Sequence, residues 1–134
     1  MFMTRTAIIL AVALALLVGC KSIGEHKQAD ALQEVLRNYE AAIRWGSLAQ
    51  TRAFLTPEQR DTASFEVPKD LRVTHYEVVQ GPAMLGRDRA VQTAIVQYVF
   101  EDSQVVRELT DSQLWIYDTA GEAWYLSSPL PVFK

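Results

Sequence analysis

Few residues in this 134-residue chain are of types that do chemistry, and none falls in a recognisable constellation. His75 is the one histidine inside the predicted fold, with an imidazole suited to general-base work near neutral pH. No fixed partner for it is legible, which favours a structural role. Asp111 and Tyr98 are an acid and a hydroxyl that could line a cavity, yet Asp111 suits a strand irregularity with its carboxylate in solvent, and that reading is favoured. His26 lies in a polar stretch and reads as solvated. No His/Cys cluster has metal-ligand spacing and no glycine-rich loop suggests a phosphate site, so neither a metal nor a cofactor is expected. Ser127 and Ser128 have no catalytic motif around them. Cys20 is the only cysteine and can make no intramolecular disulfide. The aromatics Tyr39, Trp45, Trp115, Tyr117, Trp124 and Tyr125 read mostly as core. Converging on a cavity they would make an amphipathic pocket, and on a sheet face a protein interface.

The elements that position these residues follow from periodicity. Leu32, Val35, Leu36, Tyr39 and Ile43 recur at three- and four-residue steps, which predicts a helix over 28–45. Gly46 ends it and Ser47 caps a second helix over about 47–55 that buries Leu48, Phe54 and Leu55. Thr56-Pro57-Glu58-Gln59 is the start signal of a short third helix, to about Ala63.

From Leu71 the pattern changes to strands: 71–80, ended by Gly81-Pro82, then 89–100, 105–117 and 123–127. Short turns between them predict an antiparallel meander. Pro129 and Pro131 then stop regular pairing. In the third strand the apolar parity moves from Val105 and Leu109 to Leu114 and Ile116, which suggests a bulge at Asp111-Ser112. The 89–100 strand is apolar on both faces around Ala94-Ile95-Val96 and Tyr98-Val99-Phe100, and the helices can cover only one. One parity, Ile95 with Val99 or Val96 with Tyr98, is expected to join Trp115 or Leu114 in a contact surface.

The N-terminus is a different kind of segment. Arg5 precedes an unbroken apolar run from Ala7 to Val18, the form of a secretory leader. The run is well short of the roughly 20 residues a bilayer-spanning helix needs. Leu17-Val18-Gly19-Cys20 resembles the lipobox of bacterial lipoproteins, with aliphatic residues at 17 and 18, a small residue at 19 and the modified thiol at 20. The resemblance implies cleavage between Gly19 and Cys20 and a membrane anchor through lipid on Cys20. It divides the chain into a signal peptide (1–19), a lipidated cysteine with a polar tether (20–27) and one α+β domain (28–134). Lys21 is not the aspartate that retains lipoproteins in the inner membrane under the enteric sorting rule, so the periplasmic side of the outer membrane is favoured. Removing Arg5 with the leader takes the formal charge from −3 to −4, a poor match to nucleic acid or anionic headgroups.

Helices followed by a long, bent meander resemble the nuclear transport factor 2-like superfamily, a curled sheet wrapped around its first helix. Trp45-Gly46-Ser47-Leu48, leading to Phe54-Leu55-Thr56-Pro57-Glu58, is similar to the family's break between its first two helices. Gly121-Glu122-Ala123-Trp124-Tyr125-Leu126 is similar to its late hairpin, although Ser47 stands where the family more often has Asp. A cystatin-like helix-on-sheet fold is the alternative. The family holds enzymes, binding proteins and assembly factors, so the fold does not fix the function. The favoured expectation is a non-enzymatic cell-envelope lipoprotein that binds a protein partner or itself, as a homodimer, through the sheet face. The alternative is a pocket that binds, isomerises or dehydrates a small lipophilic molecule, with Asp111 and Tyr98 as acid and hydroxyl. His75, Tyr98, Asp111, Trp115 and Tyr117 are the residues expected at the pocket or interface.

Overall fold

A computed structural model describes the backbone of residues 2–134 and the side chains of residues 23–134. The predicted cleavage and lipidation site, Gly19 and Cys20, therefore lies outside the residues whose side chains are described. The fold is α+β: the C-terminal part of the N-terminal helix, from residue 35, packs on an open four-stranded antiparallel sheet. Helix α1 spans Phe2–Arg44, a 3-10 helix spans Leu48–Phe54 and helix α2 spans Pro57–Thr62. The strands are β1 (Leu71–Met84), β2 (Arg89–Phe100), β3 (Val106–Asp118) and β4 (Ala123–Leu126). They lie in the order β1-β2-β3-β4, the meander that the short turns predict. Two compact units divide the chain, Met1–Glu34 and Val35–Lys134, and the sheet belongs wholly to the second.

The stretch expected as a tether, 20–27, has regular secondary structure. Its backbone is helical and continuous with the helix expected from residue 28. The local residues explain this, because Glu25, Lys27 and Gln28 are good helix formers and Gly24 is the one unfavourable residue, at about 1 kcal/mol. The apolar stripe of α1 is as expected: Leu32, Leu36, Tyr39 and Ile43 are buried and Val35 half-buried. Truncating Leu36 to alanine is expected to cost about 2–5 kcal/mol, measured as a fall in the urea unfolding free energy. A change near zero would mean that the packed register of α1 is wrong.

Past Arg44 the caps hold as well. The Ser47 hydroxyl accepts from the Ala49 N–H at 3.2 Å, although the turns that follow are 3-10 and not α-helical. The Thr56 hydroxyl accepts from the Gln59 N–H at 3.3 Å, and Pro57 fills the first position of α2. Gln59 also donates its side-chain amide to the Ser127 carbonyl at 2.7 Å, tying α2 to the end of β4.

Strand β1 does not stop at Gly81-Pro82. It runs on to Met84 through a cis Gly81-Pro82 peptide, with register irregularities after Val73, Val78 and Gln80. An edge strand tolerates the missing proline N–H. Gly81 has φ +114°, and a Cβ there would stand 2.9 Å from the Gln92 Cα, so only glycine fits.

The bulge expected at Asp111-Ser112 is absent. β2 and β3 pair without a register shift from Arg89↔Ile116 to Val99↔Val106. Even residues of β2 from 90 to 98 and odd residues of β3 from 109 to 115 face inward, and the bulges lie in β1 instead. The apparent parity switch arose because the inward positions at 111 and 113 are polar.

Candidate functional site

The inward face carries a connected set of buried polar side chains. Asp111 sits opposite Ala94, whose small side chain leaves room above the centre of the sheet. From α1, the Tyr39 hydroxyl reaches down and donates to Asp111 Oδ2 at 3.1 Å. Gln113, two residues along the same face of β3, donates to that oxygen at 2.9 Å and to the Tyr76 hydroxyl of β1 at 2.8 Å. Its carbonyl accepts from the Gln92 amide of β2 at 3.3 Å and from the Trp115 indole N–H at 3.1 Å. The Gln113 amide thus uses both donors and both lone pairs, which fixes its orientation. Tyr39, Phe54 and Trp115 meet edge to face around it, at centroid distances of 5.4 to 6.3 Å.

Asp111 is a second correction. It is 3 % exposed, with its carboxylate inside the fold and not in solvent. Burial pushes its pKa upward, and hydrogen bonds from Gln113 and Tyr39 offset this only in part. Burial and then the neighbouring Asp111 charge push the Tyr39 hydroxyl well up. Burial raises Tyr76 too, against the opposing hydrogen bond from Gln113. Both phenols are held neutral, and they and Gln113 direct their polar atoms at partners within the network.

The other expected residues are dispersed. Trp115 is fully buried in this network, not on an outer surface. Tyr98 shares the inward face but lies four residues along β2 from Ala94. Its hydroxyl donates to the Lys134 carbonyl at 2.9 Å and accepts from the Lys134 N–H at 3.3 Å, while Phe133 packs edge-on at 5.0 Å. Tyr117 packs against Trp124 at 5.2 Å, towards the other end. His75 is exposed, 3.8 Å from the Glu77 carboxylate and apart from the network. Tyr39, Tyr76, Gln92 and Gln113 were missed as site residues. The two glutamines were detectable in principle, since each occupies an inward position of its strand.

The outer face is amphipathic. Val91, Ile95 and Val99 form its central row on β2, with Val96 and Tyr98 turned inward. Across the register, Val91 lies between Ala83 and Leu114, Ile95 between Glu77 and Thr110, and Val99 between Arg72 and Val106. Polar cross-strand rows alternate with these, and Gln97 donates to the Glu108 carboxylate at 3.2 Å. At the end of this face near the β1–β2 turn, a groove of about 480 Å³ is lined by Gln80, Ala83, Leu85, Arg89, Val91, Thr93, Ser112 and Leu114, with Gln92 and Gln113 at its base.

Among the described residues, no group of three or more His, Cys, Asp or Glu side chains could hold a metal ion. No helix among them is long and apolar enough to cross a membrane. No protein-family model, curated protein or solved structure matches the chain.

Proposed function

We propose that this chain is a bacterial envelope lipoprotein, anchored through lipid on Cys20 to the periplasmic side of the outer membrane. Its α+β domain is read as nuclear transport factor 2-like, and it acts without catalysis by binding a protein partner or a second copy through the outer sheet face. The leader, the lipobox-like Leu17-Val18-Gly19-Cys20 and the run of helices into a meander support the anchor and the family.

One observation carries the binding reading. The inward face holds a polar network bonded to itself and to Tyr39, whereas on the outer face Val91, Ile95, Leu114 and Ile116 are only half-buried. Ile95 is the outward apolar residue in the middle of β2, so a lysine there would have to be desolvated in any contact. Ile95→Lys is expected to abolish self-association of the chain in sedimentation measurements while leaving its unfolding midpoint nearly unchanged. A chain that is monomeric at high concentration before any substitution would remove the homodimer form of the proposal.

The buried carboxyl favours a second reading, a pocket for a small lipophilic molecule that is bound, isomerised or dehydrated. Asp111 and Tyr39 would supply its acid and hydroxyl, in place of the expected Asp111 and Tyr98 pair.

A further inference from the structure

The groove at the hairpin end of the outer face is built in cross-strand rows of different chemistry. The pairings Ala83↔Val91 and Val91↔Leu114 set three apolar side chains side by side across β1, β2 and β3. Gln80↔Thr93 and Thr93↔Ser112 set an amide and two hydroxyls in the next row. On the other side of the apolar row comes Arg89, opposite the half-buried Ile116. Leu85, in the turn and 44 % exposed, adds a further apolar side chain to the lining.

The sequence makes this concavity. Gly81 lets β1 approach the backbone of β2 with no side chain between them, and the irregularities at Val78, Gln80 and Ala83 bend the end of β1. Its volume, about 480 Å³, lies within the range of small-molecule sites.

Charge defines the ligand. Arg89 is the only charged side chain that lines the groove. Among the described residues it has no hydrogen-bond or ion-pair partner of its own, although Arg44, Arg52, Arg60 and Arg107 each engage a protein group. A guanidinium presents a planar fork of donors that matches a carboxylate with two parallel bonds. From the Arg89 row to the apolar Val91 row is two residues of strand, roughly 7 Å, so an acid group on Arg89 leads directly onto the apolar row.

We propose that this groove binds a small lipophilic carboxylate, with its acid group on Arg89 and its aliphatic chain across Ala83, Val91, Leu114 and Leu85. The groove meets the buried Asp111 network at Gln92 and Gln113 and shares Val91 and Leu114 with the outer apolar row, but its charge recognition rests on Arg89, which belongs to neither.

Octanoate titrated into the full chain, followed through amide and methyl chemical shifts, tests this. Saturable shifts are expected at Val91, Thr93 and Leu114. Octan-1-ol, which has the same chain and no charge, is expected to bind at least tenfold more weakly. Arg89→Gln should weaken octanoate by about tenfold and leave octanol unchanged, because it removes the charge-assisted bonds alone. Leu114→Glu should abolish octanoate binding through like-charge repulsion and loss of the apolar floor. Arg89 and Leu114 are on the outer face, and an unchanged unfolding midpoint checks that each variant is folded. Non-saturable shifts, equal affinity for octanol and octanoate, or octanoate binding unaffected by Arg89→Gln would each overturn the proposal. So would shifts confined to Tyr39, Tyr76 and Asp111, which would put the ligand on the inward face.

Discussion

Asp111→Ala is expected to lower the unfolding free energy by about 2–5 kcal/mol, because it strands two buried donors at once. The Tyr39 hydroxyl and the Gln113 amide both donate to the same carboxylate oxygen, and Tyr39 is 0 % exposed. Gln113 is only 3 % exposed, so both donors would be left without a partner in the interior. A loss of this size is a large share of the stability of a small domain, typically 5–15 kcal/mol. Denaturant unfolding measures it, and a loss below about 0.5 kcal/mol would mean that Asp111 faces solvent.

The same carboxyl sets a pH dependence of unusual sign. Burial raises its folded-state pKa above the ordinary value of 3.8, so the folded state holds the proton more tightly than the unfolded state. Stability from this group is therefore greatest in acid. It falls as pH climbs from about 4 through the raised folded pKa, and is level above that. Asp111→Asn keeps an accepting oxygen for Tyr39 and Gln113 and removes the charge. Relative to this variant, the parent chain should lose stability as pH rises from 4 towards neutrality. A parent that gains stability over the same range, relative to Asp111→Asn, would show that the hydrogen bonds outweigh the desolvation.

How much of this was legible in the residues depended on how local the cause was. The β2 limits at 89 and 100 match expectation, because alternation and turn residues are nearest-neighbour signals. The caps at Ser47 and Thr56 were legible for the same reason. Asp111 and Gln113 were not, because counting apolar residues alone makes an inward polar pair look like a break in the strand. What allows them inside is supplied from far along the chain. Tyr39 is 72 residues from Asp111, Tyr76 is 37 from Gln113 and Gln92 is 21 from it. No local pattern carries that information, and only the folded sheet brings these partners together. The expected stop at Gly81-Pro82 failed through edge position, since β1 has no outer neighbour to need the proline N–H. The helix runs on through the expected tether because Gly24 among good helix formers does not break a helix.

The lipid anchor carries the most absolute expectation. Cys20 is the only thiol in the chain, so Cys20→Ser leaves no alternative sulfur for thioether formation with a diacylglycerol. Fatty-acid incorporation should fall to background, and the precursor should keep residues 1–19, because the lipobox peptidase cuts only before the lipid-modified cysteine. The physical consequence follows from chain counting. One acyl chain gives marginal, reversible membrane binding, whereas two or more, at about 0.8 kcal/mol per buried methylene, hold a domain stably. Release is not the expected outcome, however, since the uncleaved apolar run from Ala7 to Val18 still partitions towards the membrane. Membrane fractionation alone would therefore miss the defect, and metabolic labelling with a radioactive fatty acid is the decisive readout. The parent chain should label and run shorter than the variant by the mass of 19 residues, less the added lipid. Undiminished labelling of Cys20→Ser would end the lipoprotein reading, and with it the assignment to the envelope.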